Sequence, residues 1–506
     1  MIQFFLALLG AIPLVWLLIG LIGLKLSAVK TGLIGLGLTV GIAVCFFDHL
    51  PLHALEAAAE GSLLAIWPIL WAIIGGIFSY NVGVATGHIE KIKAMLSGIS
   101  ADRRIQVLIL AWAFSGFLEG ATGYGTAVAI PASILMALGF EPLFAAVICL
   151  LGNTAPTAFG SIGIPLITLA KVTDEAVPII AKNVEIQLLP FIILLPVAMV
   201  WLTAQKGQGL KGVWGVTFVA GLSYAVIHYV TAIYLGPEMP SLLGGIVSLI
   251  AIIAWLNLRA RTRKRTDGTS PITPKYKLTD AAVSWSPYLL LFIFITFTST
   301  LFPGINAFLA KAQSRLMLYH GPGGKEVVIS WILSPGTFIV VAAVTGGLIQ
   351  GASWRQLGAI FGKTIRQLSK TLLTVCSIVM ISKIMGYSGM IGQLAYGLAK
   401  VTGMFYPVIA PLLGALGSFL TGSDTSSNIL FGQLQKQTAL QLRLNSQWII
   451  AANNSGATAG KLISPQNVAI AAAVTGLTGR EGDILRKTFR YCLIYGILLG
   501  LFVMFK

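Results

Sequence analysis

Charge is what this chain has least of. Asp, Glu, Lys and Arg make up 10% of its 506 residues, and only 17 are acidic, whereas an ordinary soluble domain carries about 25% charge. With 56% of residues hydrophobic, the solvent is lipid. Cysteine is also scarce: Cys45, Cys149, Cys376 and Cys492 all lie inside apolar segments, without paired metal-ligand spacing or the extramembrane placement of a disulfide framework. They read as small packing residues. The five histidines form no HExxH or paired arrangement, and no Ser/His/Asp set stands in the apolar segments, so the groups a membrane enzyme would converge on a cavity are missing. No metal or cofactor is implied. The net charge of +17 would suit nucleic acid, but the basic residues are scattered between apolar segments with no groove-forming or base-stacking pattern.

What is present is a succession of apolar stretches of roughly 17 to 25 residues, each long enough to cross a hydrocarbon core of about 30 Å. Barrel strands would be near 10 residues and alternating. The stretch 2–24 has no basic region before it and exceeds the 7 to 15 apolar residues typical of a signal peptide, so it is expected to be a retained helix. We place roughly twelve crossings, at 2–24, 31–50, 61–83, 142–170, 187–204, 212–235, 239–258, 281–302, 331–350, 371–391, 447–475 and 489–505. Two further stretches, 104–140 and 404–444, are apolar with a Gly/Ser/Thr-rich middle, and each is expected to enter and leave on one side as a helical hairpin. The fold class is therefore an all-α polytopic membrane protein.

The most basic connector runs from Arg259 to Lys277, and the positive-inside rule puts it in the cytoplasm. Threading from it sends the acidic residues Asp48, Glu56, Glu60, Asp174, Glu175 and Glu185 outside, and with them the segment from Tyr319 to Lys325. It also exposes a repeat. Phe117-Leu118-Glu119-Gly120 returns as Phe419-Leu420-Thr421-Gly422, and downstream Asn153, Gly160 and Pro165 are matched by Asn453, Gly460 and Pro465. The first copy enters from the cytoplasm and the second from outside, so the halves are inverted. We divide the chain into a first repeat at 1–205 (hairpin 104–140, broken helix 142–170), linker helices at 206–258, a basic loop at 259–280 and a second repeat at 281–506 (hairpin 404–444, broken helix 447–475). Inverted halves with broken helices at matching positions point to a transporter site near the midplane. Packing by small residues is the competing explanation, because membrane bundles use it too.

The polar residues concentrate at these breaks. In Glu119-Gly120-Ala121-Thr122-Gly123-Tyr124-Gly125-Thr126 the glycines stop a helix and let backbone approach a ligand. A nucleotide loop would need a strand before it. Glu119 is the only charge between Ile105 and Phe140, and an ionisable group at membrane depth costs about 2.5 to 3.5 kcal/mol on insertion scales. It is a candidate proton carrier, with helix capping as the alternative. Thr421-Gly422-Ser423-Asp424-Thr425-Ser426-Ser427-Asn428 is more polar than a turn requires, and Asp424 either caps the next helix or binds a proton or cation.

Two broken crossings, 153–160 and 453–461, are expected to offer unwound backbone and half-helix N-termini to an anion. Lys461, beside Ser464, Pro465 and Gln466, is the first choice for a substrate carboxylate, a snorkelling lysine being the alternative. Lys383, isolated in an apolar segment, is a second. Thr122, Tyr124, Asn153, Thr154, Ser423, Thr425, Asn453, Asn454, Ser464 and Gln466 complete the candidate substrate site. For His228, alone on an apolar helix, a satisfied structural role is favoured over a proton relay.

These runs resemble the L-lactate permease family: FLEGATGYGTAVAI at 117–130, LGFEPL at 138–143, NTAPTAFGSIGIP at 153–165, FLTGSDTSSNILF at 419–431 and GKLISPQ at 460–466. The resemblance spans about 60–490 and implies proton-coupled uptake of lactate, glycolate and related 2-hydroxymonocarboxylates across a bacterial inner membrane. It carries the family's acidic and lysine positions onto Glu119, Asp424 and Lys461. A sodium-coupled dicarboxylate carrier and a passive anion channel are the alternatives.

Overall fold

The computed structural model describes residues 2–505 apart from 21–23, 25, 122, 124, 205–208, 268–276, 299–301, 325 and 478–479. Thr122, Tyr124, Lys325 and most of the basic loop after Asp267 thus lie outside the described residues. Eleven helices in the described residues are long and apolar enough to cross a membrane. Hairpin arms such as Arg103–Ala121 are among them, while the expected first crossing and the one at 331–350 appear as the shorter apolar helices Gln3–Leu17 and Gly336–Ile349. The bundle carries apolar side chains outward as lipid requires. Trp201, Trp214 and Tyr234 stand exposed at the ends of their helices, where amphipathic rings meet the membrane interface. The chain is a polytopic helical membrane protein.

One element departs from the all-α expectation. Gln313–Leu316 and Val327–Ser330 pair as an antiparallel ribbon, in a connector outside the apolar spans. Val327 and Ile329 are buried while Val328 is exposed, the alternation of a half-covered strand.

Both hairpins form. The first descends through Arg103–Ala121 and returns through Thr126–Ala137, and Gly123 and Gly125 turn it with φ of 61° and 77°. The second descends through Tyr406–Thr421 and returns through Asp424–Gln441, closed by Gly422 at φ 72°. Each return arm lies against the far half of the opposite broken crossing. Gly125 approaches Ile470 and Gly432 approaches Leu169, a reciprocal arrangement in keeping with inverted repeats.

The two breaks differ. The first crossing runs as Pro142–Gly152, passes into a tight 3-10 segment at Ala155–Phe159, and turns through Ser161, Ile162 and Gly163 at positive φ before continuing to Thr173. The second, expected to unwind over 453–461, stays helical from Ser446 to Lys461 and breaks only at 462–464, where Ser464 caps Pro465–Val474. Pro156 explains the difference, since it cannot continue a helix ladder and its counterpart is Gly456. In the second copy the glycines serve close packing. A Cβ at Gly456 or Gly460 would lie 2.0 Å from the Pro411 or Ala415 carbonyl oxygen.

A further break was not anticipated. The crossing at 61–83 begins at Pro51 and bends at Trp67, whose extended φ of −133° and ψ of 119° follow from the proline after it.

Segments that the threading assigns to one side bond to one another. Arg104 donates to the carbonyls of Gly209 and Lys211, and Arg259 to that of Gly212. Among the segments assigned outside, Lys436 pairs with Glu175 at 2.7 Å, Gln447 donates to Glu175, and His320 meets Glu56 at 3.0 Å.

Candidate functional site

A cavity of about 530 Å³ opens where the two hairpin tips and the two breaks meet. Glu119 arrives on the last turn of the first hairpin's descending arm, Thr157 and Ser161 on the first break, and Thr421 to Ser426 on the second hairpin tip. Lys461, Gln466 and Asn467 come from the second break. The opposite wall is built by Ser27 to Lys30 and by Lys370 to Val375.

The centre of this wall is an ion pair. Lys461 Nζ lies 2.7 Å from Glu119 Oε1, with side chains 12% and 2% exposed. Asn153 Nδ2 donates to the other carboxylate oxygen at 3.0 Å, and Ser115 Oγ reaches Asn153 Oδ1 at 3.4 Å. Gly160 is required by this geometry, because a Cβ there would sit 2.5 Å from Glu119 Oε1. Glu119 therefore orders both breaks at once: it is held by the first through Asn153 and holds the second through Lys461.

Asp424 stands across from this pair. The cap of its helix is Ser423, whose side chain accepts from Ser426 N, so the capping role considered for Asp424 falls to its neighbour. Asp424 takes the first helical turn instead, where the positive dipole end favours an anion. Its Oδ1 accepts from Ser418 Oγ at 2.9 Å, and the buried carboxyl lines the cavity. Thr425 and Gln466 line it too. Lys461, Glu119 and Asp424 thus line one cavity, together with hydroxyl and amide groups and the ammonium groups of Lys30 and Lys370.

Other candidates lie elsewhere. Asn453 and Asn454 do not reach the cavity wall; they are fully buried in an amide network that ties the breaks together. Asn428 Nδ2 donates to Asn454 Oδ1 at 2.6 Å and to Pro165 O at 2.9 Å, Asn453 Nδ2 to Asn428 Oδ1 at 2.9 Å, and Asn454 Nδ2 to Ala158 O at 3.3 Å. Thr154 bonds back to Leu150 O, and Ser464 is spent on capping. Lys383 is committed to a second pair, 2.7 Å from Glu60, with Tyr387 Oη also donating to that carboxylate. Glu60, threaded as an outside residue, is buried within a spanning segment.

Ser161, Asn467, Lys30 and Lys370 were missed as lining residues. Ser161 sits inside the quoted run at 153–165.

Comparison with known proteins shows the family. The L-lactate permease family matches residues 6–321 and 324–506. An L-lactate permease of Streptococcus iniae is 43% identical over 89% of the chain and 94% of its own length. The Bacillus subtilis L-lactate permease is 34% identical over 97% and 94%, and the Escherichia coli glycolate permease GlcA 33% identical over 99% and 95%. Among solved structures, the YdaH transporter of Alcanivorax borkumensis is 14% identical, with a TM-score of 0.43 over 86% of this chain and 85% of that one. The match runs through both hairpins and both breaks, and the chain belongs to the L-lactate permease family.

Proposed function

We propose that the protein is a secondary transporter that carries L-lactate and related 2-hydroxymonocarboxylates, D-lactate and glycolate among them, into the cell together with a proton. The names of its relatives, L-lactate permeases and a glycolate permease, support the substrate class. The observation that carries the coupling is the Glu119–Lys461 pair on the cavity wall. An ammonium suits a substrate carboxylate, and Glu119 holds the one on Lys461. Protonating Glu119 removes that competitor and frees Lys461 for the incoming anion.

One proton entering with one monocarboxylate adds no net charge to the cavity, whose lining carries Glu119, Asp424, Lys461, Lys30 and Lys370. Ser423, Thr425 and Gln466, on the same wall, are short polar partners for the substrate's hydroxyl. The cavity exceeds what a three-carbon acid fills, leaving room for water.

The test is accumulation in proteoliposomes. A gradient acid outside should drive labelled lactate and glycolate uphill. Accumulation that follows a sodium gradient and ignores pH would overturn the proton assignment, and movement that only equilibrates would make the protein a channel.

A further inference from the structure

Away from the cavity, Glu185 and His228 form a second buried pair that the proposed cycle does not use. Both side chains are 0% exposed, with His228 Nδ1 2.6 Å from Glu185 Oε2. His228 Nε2 lies 3.3 Å from Ser241 Oγ, and Ser241 Oγ donates to the carbonyl of Pro156 at 2.6 Å. Phe159 packs its ring against the imidazole, centroids 4.8 Å apart. Three helices, Val177–Thr203, Trp214–Tyr234 and Pro240–Arg259, thus converge on the unwound segment of the first break.

The hydrogens in this chain can be assigned. A carbonyl oxygen only accepts, so the single Ser241 hydrogen is committed to Pro156. The hydroxyl has only lone pairs left for His228, and Nε2 must be the donor. Nδ1 then faces Glu185 across a contact short enough for a charge-assisted bond, which requires one proton between them. It rests either on the imidazole, facing a carboxylate, or on the carboxyl, facing a neutral ring. Both forms are neutral overall, and losing that proton would leave an uncompensated charge with no access to water.

We infer that Glu185 and His228 keep one proton permanently between them and, through Ser241, tether the Pro156 carbonyl, so that they position the break carrying Asn153 and Thr157 without handling the transported proton. The reach to the site is short. Asn153 grips Glu119, Thr157 lines the cavity, and the backbone of Ser241 and Leu242 abuts Gly120, where a Cβ would lie 2.4 Å from Leu242 N. The inference rests on the proposed transport reading only for its functional readouts.

Three variants of the full chain in proteoliposomes test it: Glu185→Gln, Glu185→Ala and Ser241→Ala. The glutamine amide donates to a neutral Nδ1 and rebuilds the chain, so Glu185→Gln should retain pH-driven accumulation and wild-type hydrogen exchange over 153–163. Ser241→Ala and Glu185→Ala should speed exchange there and raise the KM for lactate about tenfold, the cost of one buried hydrogen bond, with Vmax changed less. A Glu185→Gln protein that catalyses counterflow yet fails to accumulate lactate would place the pair in the coupling path and overturn the inference. So would a Glu185→Gln protein that does not fold, or a Ser241→Ala protein whose 153–163 segment exchanges as in wild type. If the wild-type protein moves neither acid, the transport reading fails, while the exchange data still decide the tether.

Discussion

Replacing Glu119 by Gln separates the two duties of the Lys461 pair. On the proposed mechanism a substrate carboxylate displaces Glu119 from a 2.7 Å contact in which neither side chain is more than 12% exposed. Such a charge-assisted hydrogen bond is worth about 1.5 to 3 kcal/mol, or roughly one to two decades of affinity at 1.4 kcal/mol per decade. The sign follows from which form binds. If binding takes up one proton, as proposed, affinity should fall as the pH rises, by up to about tenfold per pH unit for a one-proton linkage. The Gln amide keeps an oxygen for Asn153 and has no charge to hold Lys461. Glu119→Gln should therefore bind lactate and glycolate independently of pH, and at alkaline pH should bind them about one to two decades more tightly than wild type. Calorimetry on purified protein at acid and alkaline pH reads this directly. In proteoliposomes the same variant should lose pH-driven accumulation and keep counterflow, because exchange moves no net proton. A variant that retains the wild-type pH slope, or binds more weakly than wild type at alkaline pH, refutes the competition mechanism and leaves Asp424 as the coupling acid.

Four further outcomes are expected. Lys461→Ala should weaken binding of both acids by about one to two decades, and Lys461→Arg should rescue poorly because a planar fork does not reproduce a compact ammonium; titration of each variant checks this, and wild-type affinity in Lys461→Ala would leave the anion to Lys30 or Lys370. Gly160→Ala drives a methyl against Glu119, and a displacement on the order of 1 Å can cost up to a hundredfold in uptake; normal kinetics in this variant would mean that the carboxylate sits elsewhere. Lys383→Met should lower the melting temperature, since Glu60 is left buried without its cation, yet leave lactate titrations at wild-type affinity. Single cysteines at His320 and at Lys211 should be labelled from opposite sides of the membrane, His320 from outside, and labelling of both from one side would undo the threading.

The features legible in the sequence were those written in backbone chemistry. Gly123, Gly125 and Gly422 announce turns that need positive φ, and all three have it; Pro156 announces a break, and the α-helix ends before it at Gly152, giving way to a 3-10 segment rather than to unwound backbone. Hydrophobic length located the spans at 212–235, 239–258 and 281–302 to within a few residues, but the helices Pro51–Ala85, Val177–Thr203 and Trp354–Tyr387 begin 10, 10 and 17 residues before the expected 61, 187 and 371. Pairing across the bundle was not legible. Glu185 and His228 are 43 positions apart, and Glu60 and Lys383 323 apart, so nothing local marks them as partners. Treating acidic residues near helix ends as loop residues put Glu60 and Glu185 in water, when a partner elsewhere allows each to be buried. The amides of the second break misled in the opposite sense. A run such as Asn453-Asn454-Ser455 reads as a ligand surface until its partners are known, and the structure spends both asparagines on joining the breaks.

The asymmetry of the repeat follows from the same substitutions. At the end of each descending hairpin arm stands Phe-Leu-X-Gly, with X an acid at Glu119 and a hydroxyl at Thr421. In the first copy the acid draws Asn153 onto one oxygen and Lys461 onto the other. In the second copy Thr421 offers no charge. Asn453, the counterpart of Asn153, turns to Asn428 and Gln435 instead, and its helix runs on unbroken to Lys461. The two copies thus divide what they place at the cavity, the first a carboxyl held by the Asn153 amide and the second the Lys461 ammonium that pairs with it. Exchanging the residues at 119 and 421 tests that division, since a carboxylate at 421 has no Asn153 amide to orient it. The swapped protein should keep its fold and lose proton-driven uptake, and uptake that survives the swap would mean that the two hairpin tips are interchangeable.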